Sequence, residues 1–181
     1  LANVNDITID SAIISVSTTA TVSSVIGVSI SGNVTSHASG ANANNVTVSN
    51  SKFIGGYYGV RQYGASTLGV MNTKILNNTF ENVYWSSIYS YYADGLEFSG
   101  NTADMTQRGY ATAYGAYLYY NENLLFAANN LKSLGYGVYH YNLTDYYKKT
   151  RKNRYVNNMI YSANNYGAYL YYVDSVDIIH N

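Results

Sequence analysis

The sequence predicts an all-β solenoid: one chain coiled into about seven stacked rungs of short parallel strands. Three observations predict it. The phrase Tyr-Gly-Ala-Tyr-Leu-Tyr-Tyr at 114–120 returns almost unchanged at 166–172, and in looser form at 58–64, 86–92 and 136–142. A series of short β-branched strands is each followed, at a fixed offset, by Asn or Ser. No stretch carries the capped amphipathic pattern of about 10–15 residues that alternating strands and helices would need. A phrase repeated in this way marks one supersecondary unit, copied and stacked.

The elements follow in order. Ile7-Thr8-Ile9, Val28-Ser29-Ile30 and Val46-Thr47-Val48 read as period-two strands set between Ser, Gly and Asn. Later counterparts are Leu96-Glu97-Phe98, Leu124-Leu125-Phe126 and Val176-Asp177-Ile178, with Thr73-Lys74-Ile75 and Asn153-Arg154-Tyr155 as weaker copies. Three residues beyond these strands come Asn33, Ser51, Asn78, Asn101, Asn129, Asn158 and Asn181. An apolar residue often follows two positions later, as at Phe53, Phe80, Leu131 and Ile160. The spacing within this column runs from 18 to 29 residues, so insertions are expected, at Gly69–Asn72, Thr106–Ala111 and Tyr146–Lys152.

Such a coil is a parallel β-helix, with successive rungs about 4.8 Å apart and equivalent side chains directly above one another. Asn33, Asn78, Asn101, Asn129, Asn158 and Asn181 are then expected to form a buried amide ladder, each bonding its neighbour in the next rung. With its Asn column, its Gly column (Gly59, Gly115, Gly137, Gly167) and the apolar pairs that follow, the chain resembles the right-handed parallel β-helix repeat family, the architecture of pectate lyases and many surface proteins. The resemblance covers about Ile7 to Asn181 and implies an architecture rather than an activity. Right-handedness follows from it and from the general rule for parallel crossovers.

Read as a strand, the repeated phrase has two faces. Val60, Ile88, Ala116, Val138 and Ala168 fit the core, as does the less apolar set Gln62, Ser90, Leu118, His140 and Leu170. The opposite face carries Tyr89, Tyr117, Tyr139 and Tyr169 in one column, which Arg61 begins. Tyr63, Tyr91, Tyr119, Tyr141 and Tyr171 make a second. These nine tyrosines are expected to form a flat exposed aromatic wall and the binding surface. Tyr58, Tyr114, Tyr136 and Tyr166 are expected to sit at a corner and pack inward.

Composition narrows the function classes. Charged residues are 11% of the chain, and Lys+Arg and Asp+Glu balance at 10 each, so no net field steers nucleic acid or an anionic membrane. There is no Cys, hence no disulfide and no thiolate metal site. No apolar run approaches the roughly 20 residues of a membrane span. Little charge with much Asn, Ser, Thr and Tyr predicts an extracellular or cell-surface protein. Asn33, Asn45, Asn77 and Asn142 lie in glycosylation sequons.

β-helix enzymes that cleave polysaccharides place clustered carboxylates in a groove, so the resemblance makes a lyase or glycoside hydrolase the alternative function. The acids that could serve are Asp94 and Glu122, expected about one rung apart in a column with Ser66, Thr144 and Asp174. Two carboxylates fall short of the 6–8 oxygens that Ca²⁺ takes, and no metal or other cofactor is expected. Lys74 beside Glu97 and Arg154 beside Asp177 read as exposed cross-strand pairs. Lys148, Lys149, Arg151, Lys152 and Arg154, after Tyr146 and Tyr147, read as a solvated loop rather than a nucleic-acid site. His37, His140 and His180 share no column, so no metal site is expected of them. The reading is therefore a non-enzymatic structural or adhesive module whose tyrosine ladder contacts a polysaccharide or another copy of itself. With Asn181 in mid-rung, either a longer chain or end-to-end stacking of units is expected.

Overall fold

The structure is a computed structural model that describes residues 1–31, 43–66, 69–108, 110–142 and 152–181. Every regular element in it is a strand, and every ladder is parallel. Three sheets form the sides of a β-helix. The first stacks Thr8–Asp10, Thr47–Ser49, Lys74–Leu76, Glu97–Ser99, Leu125–Ala127, Asn153–Val156 and Val176–Ile179. The second stacks Ile13–Ser15, Lys52–Ile54, Thr79–Glu81, Thr102–Asp104, Asn130–Ser133 and Met159–Ser162. The third stacks Ile26–Ser31, Tyr58–Tyr63, Ser86–Asp94, Tyr114–Glu122, Tyr136–Tyr141 and Ala168–Tyr171. The chain thus makes six turns through all three sheets and enters a seventh.

The corner between the first and second sheets is set by two adjacent residues per turn. The first takes a left-handed conformation: Ser11, Asn50, Asn77, Gly100, Ala128, Asn157 and His180 all have φ between +48° and +68°. Gly, and after it Asn, tolerates this region better than other residues, and four of the seven positions hold one of the two. The second residue turns inward and builds the ladder. The Asn78 amide N–H donates to Asn101 Oδ1 at 2.9 Å, Asn101 to Asn129 at 3.0 Å, Asn129 to Asn158 at 3.0 Å and Asn158 to Asn181 at 2.9 Å. Each Asn Nδ2 also donates back to a first-sheet carbonyl, as Asn101 does to Ile75 at 2.8 Å and Asn129 to Phe98 at 2.8 Å. Every polar atom of a buried amide is thereby occupied, which offsets its desolvation.

The early rungs differ from the expectation. Val28–Ile30 lies in the third sheet, with Val28 opposite Val60 and Ile30 opposite Gln62. The rung below Thr47–Ser49 is instead Thr8–Asp10. Asn33 falls outside the described residues; the ladder position in the first turn is held by Ala12, whose N–H donates to Ser51 Oγ at 3.1 Å. An ordinary alternating strand looks the same in either sheet, so the offset alone misplaced it. The insertion placed at Gly69–Asn72 is corrected too. Val70–Met71 is a short strand of the third sheet, with Met71 opposite Asp94, so Ser66 does not hold that position.

The core is a set of stacks. Phe53 lies on Phe80 at 4.8 Å in the second sheet, and Phe98 on Phe126 at 5.2 Å in the first. Val60, Ile88, Ala116 and Val138 close it from the third sheet, all with 0% exposure. The glycines before them make room for the second sheet. A Cβ on Gly59 would lie 2.5 Å from Phe80 Cδ1, and one on Gly115 would lie 3.2 Å from Leu131 Cβ. In the intervening turn the glycine position is Ser87, and the second-sheet residue at the same offset is the small Ala103.

Candidate binding surface

The third sheet carries the wall. Its register aligns Arg61, Tyr89, Tyr117, Tyr139 and Tyr169 in one column and Tyr63, Tyr91, Tyr119, Tyr141 and Tyr171 in a second. Rings in the first column stack at 5.2 Å (Tyr89–Tyr117), 5.1 Å (Tyr117–Tyr139) and 5.3 Å (Tyr139–Tyr169), with interplanar angles of 2°, 6° and 14°. The second column runs at 4.6, 5.1, 4.6 and 5.4 Å from Tyr63 to Tyr171. Parallel neighbours also sit side by side within a rung, Tyr117 and Tyr119 at 6.1 Å. Aromatic pairs of this kind contribute about 0.5–1.5 kcal/mol each beyond burial.

The geometry changes the character of the expected flat wall. Each ring face lies against the ring of the next rung, so what the surface offers outward is ring edges and hydroxyl groups at rung spacing. The wall is also wider than two columns. Tyr58, Tyr114, Tyr136 and Tyr166 do not pack inward. Tyr114 stacks on Tyr136 at 5.0 Å and meets Tyr117 edge-on at 4.9 Å, and Tyr58 lies 5.1 Å from Tyr89. The reason is a break in the pleat at Gly115: Tyr114 and Tyr117 both face out, while Gly115 and Ala116 both face in. The third rung has Ser86 at this position, and Trp85 fills the gap, 5.4 Å from Tyr58, 4.7 Å from Tyr114 and 5.1 Å from Tyr117. On the far side Tyr92 and Tyr120 stack at 4.6 Å. Trp85 was overlooked in the sequence because it precedes the repeated phrase; its position beside a Ser where other rungs have Tyr was the available signal.

Burial pushes the phenols up, Tyr58 and Tyr114 to about 12 and Tyr89 and Tyr117 further. These four phenols therefore stay neutral and keep their O–H donors at any ordinary pH. Arg61 closes one column, 7% exposed, with its guanidinium 5.0 Å from the Tyr63 ring centroid and 5.6 Å from that of Tyr89. Desolvation lowers its pKa.

Beneath the wall runs a buried polar chain. Gln62 Nε2 donates to Ser90 Oγ at 2.6 Å, which donates to Asn121 Oδ1 at 2.5 Å. Asn142 Oδ1 accepts from the Asn121 amide at 3.0 Å. His140 Nε2 lies 3.3 Å from the Asn121 carbonyl and its Nδ1 2.7 Å from the Tyr155 hydroxyl. A carbonyl only accepts, so the network assigns the proton to Nε2 and makes Nδ1 the acceptor. Burial lowers the His140 pKa from 6.5 to about 4.

Asp94 and Glu122 are opposite one another in adjacent rungs. Asp94 accepts from Asn123 Nδ2 at 2.9 Å, and Glu122 is 7% exposed, so one of the two is withdrawn from the surface. Lys74 is opposite Glu97, and Arg154 opposite Asp177; Asp177 forms an ion pair with Lys152 at 2.7 Å. His37, Thr144, Tyr146, Tyr147, Lys148, Lys149 and Arg151 lie outside the described residues. Among the described residues, no three His, Asp or Glu side chains gather as a metal site.

A family model for the right-handed β-helix region matches residues 12–181. The chain belongs to the right-handed β-helix family. No curated protein and no solved structure matches it. Membership agrees with the three parallel sheets and fixes the hand of the coil.

Proposed function

We propose that this β-helix is a non-catalytic adhesive module, working outside the cell or at its surface, whose tyrosine face docks along an extended neutral polysaccharide. The observation that carries this is the unbroken register of two outward columns through five successive rungs, one of five tyrosines and one of four tyrosines headed by Arg61. A polymer laid along the coil axis meets the same edge-and-hydroxyl pattern once per rung, so many weak contacts add along one ligand. Tyrosine suits this, being rigid, amphipathic and low in ordering cost. The low charge of the chain accords with a neutral partner and with an extracellular setting.

Sedimentation with insoluble glycans tests the reading. Wild type is expected to co-sediment, and Tyr117→Ala with Tyr119→Ala to lose most of the bound fraction. Retention of binding by that pair would overturn it. Negative-stain microscopy without glycan examines the other use of the same face: filaments would assign the wall to self-assembly. Polysaccharide cleavage abolished by Asp94→Ala or Glu122→Ala would replace the adhesive reading with the lyase or hydrolase one.

A further inference from the structure

We propose that the tyrosine column Tyr63, Tyr91, Tyr119, Tyr141, Tyr171 is a site of oxidative rung-to-rung cross-linking, in which stacked phenols couple to dityrosine. The chain has no Cys and so cannot staple its turns with disulfides, yet it places phenols in register on five consecutive rungs. Interplanar angles along this column are 23°, 12°, 17° and 27°. Rings related by near-translation have their equivalent ortho carbons about as far apart as their centroids, here 4.6 Å for Tyr63–Tyr91 and for Tyr119–Tyr141. Rolling about χ1 and χ2 closes that gap with the backbone held by the sheet. Tyr63, Tyr91, Tyr119 and Tyr141 are half-buried and Tyr171 is 40% exposed, so water can take the phenolic protons.

The chemistry requires a one-electron oxidant of the kind a peroxidase supplies, two equivalents per cross-link. Each phenol gives one electron to the oxidant and its O–H proton to water, leaving a neutral phenoxyl radical. The two radicals join ortho carbon to ortho carbon in a new C–C bond. Each joined carbon then releases its hydrogen as a proton while the oxygen regains one, restoring both aromatic rings. The net change is loss of two protons and two electrons from the tyrosine pair, with two oxidant equivalents reduced. The coupled pair ties neighbouring turns covalently.

The test is photo-oxidation of dilute protein with tris-bipyridyl ruthenium(II) and persulfate, followed by dityrosine fluorescence and mass spectrometry of the digested chain. Linked peptides joining Tyr63 to Tyr91, Tyr91 to Tyr119 and Tyr119 to Tyr141 are expected, each lighter by two hydrogens, in a chain that stays monomeric on a denaturing gel. Tyr119→Phe keeps a ring in the stack and removes its phenol. It should abolish both linkages to residue 119 and leave Tyr63–Tyr91. Tyr110 and Tyr161 are internal controls, 48% and 53% exposed and outside this column. Oxidation confined to those two, dityrosine only between molecules, or full loss of the Tyr63–Tyr91 link in Tyr119→Phe would each overturn the proposal.

Discussion

The Asn corner and the tyrosine face are both made by stacking one residue type turn on turn, yet they hold the coil together by different physics. At the corner each amide is buried and its donors and acceptor are saturated by the rungs beside it. On the face each ring touches several others but keeps one edge in water. A break in the ladder leaves backbone groups unpaired where water cannot reach; a break in the wall removes contacts and leaves nothing stranded. The same repeat therefore gives one column where a lost interior amide strands a buried group and another where a lost ring does not.

The sharpest break is Asn101→Ala. It strands the buried Asn78 amide N–H and removes three further hydrogen bonds of the Asn101 side chain, to Asn78 Nδ2, the Ile75 carbonyl and Asn129 Oδ1. An unsatisfied buried group costs about 1–3 kcal/mol and a lost hydrogen bond about 1 kcal/mol, so a loss of about 4 kcal/mol is expected in urea unfolding. The buried polar chain behind the wall should behave like the corner. His140 is neutral in the fold, with a pKa near 4 against 6.5 when exposed. Between those values the unfolded chain binds the extra proton, so stability falls as pH drops from about 6.5 to about 4. The shift corresponds to about 3 kcal/mol. Unfolding of wild type and His140→Leu at both ends of that window checks it: the variant should lose this part of the pH dependence.

How much the sequence revealed followed the same division. Asn78 through Asn181 could be read because a buried amide has to recur at a fixed offset from its strand. The outward tyrosines could be read because period two holds across Ile88–Tyr91 and Ala116–Tyr119. Tyr114 could not, because the pleat breaks at Gly115, and nothing local marks that break. A Cβ on Gly115 would collide with the Gly137 carbonyl oxygen of the next rung and lie 3.2 Å from Leu131 Cβ in another sheet, contacts between turns that the phrase itself does not display. Met71 opposite Asp94 was hidden in the same way: two residues form a strand only because the neighbouring rung offers them an edge. The stacking of ring face on ring face needed the register itself, since the phrase gives directions of side chains and not their planes.

The wall should respond more mildly. Tyr117 meets Tyr89, Tyr139, Tyr114 and Trp85 at 4.9–5.2 Å. Tyr117→Ala is expected to cost about 2 kcal/mol. Tyr117→Phe should stay within about 0.5 kcal/mol of wild type. If the alanine variant proved as damaging as Asn101→Ala, the contrast between a saturated corner and an open face would fail.

The smallest effect refines the corner itself. The left-handed position is filled by Asn50, Asn77 and Asn157 and by Gly100, but in one turn by Ala128, with φ +53°. Alanine bears about 1–2 kcal/mol in this region because its Cβ crowds the following carbonyl, a strain that Asn relieves by local hydrogen bonding. Ala128 is exposed and lies outside the amide ladder, whose member in that turn is Asn129. Ala128→Asn should therefore raise stability by about 1 kcal/mol, read as a higher urea midpoint at unchanged slope. A fall in the midpoint would show that the corner is limited by packing rather than by backbone conformation, and that the ladder residue alone sets its geometry.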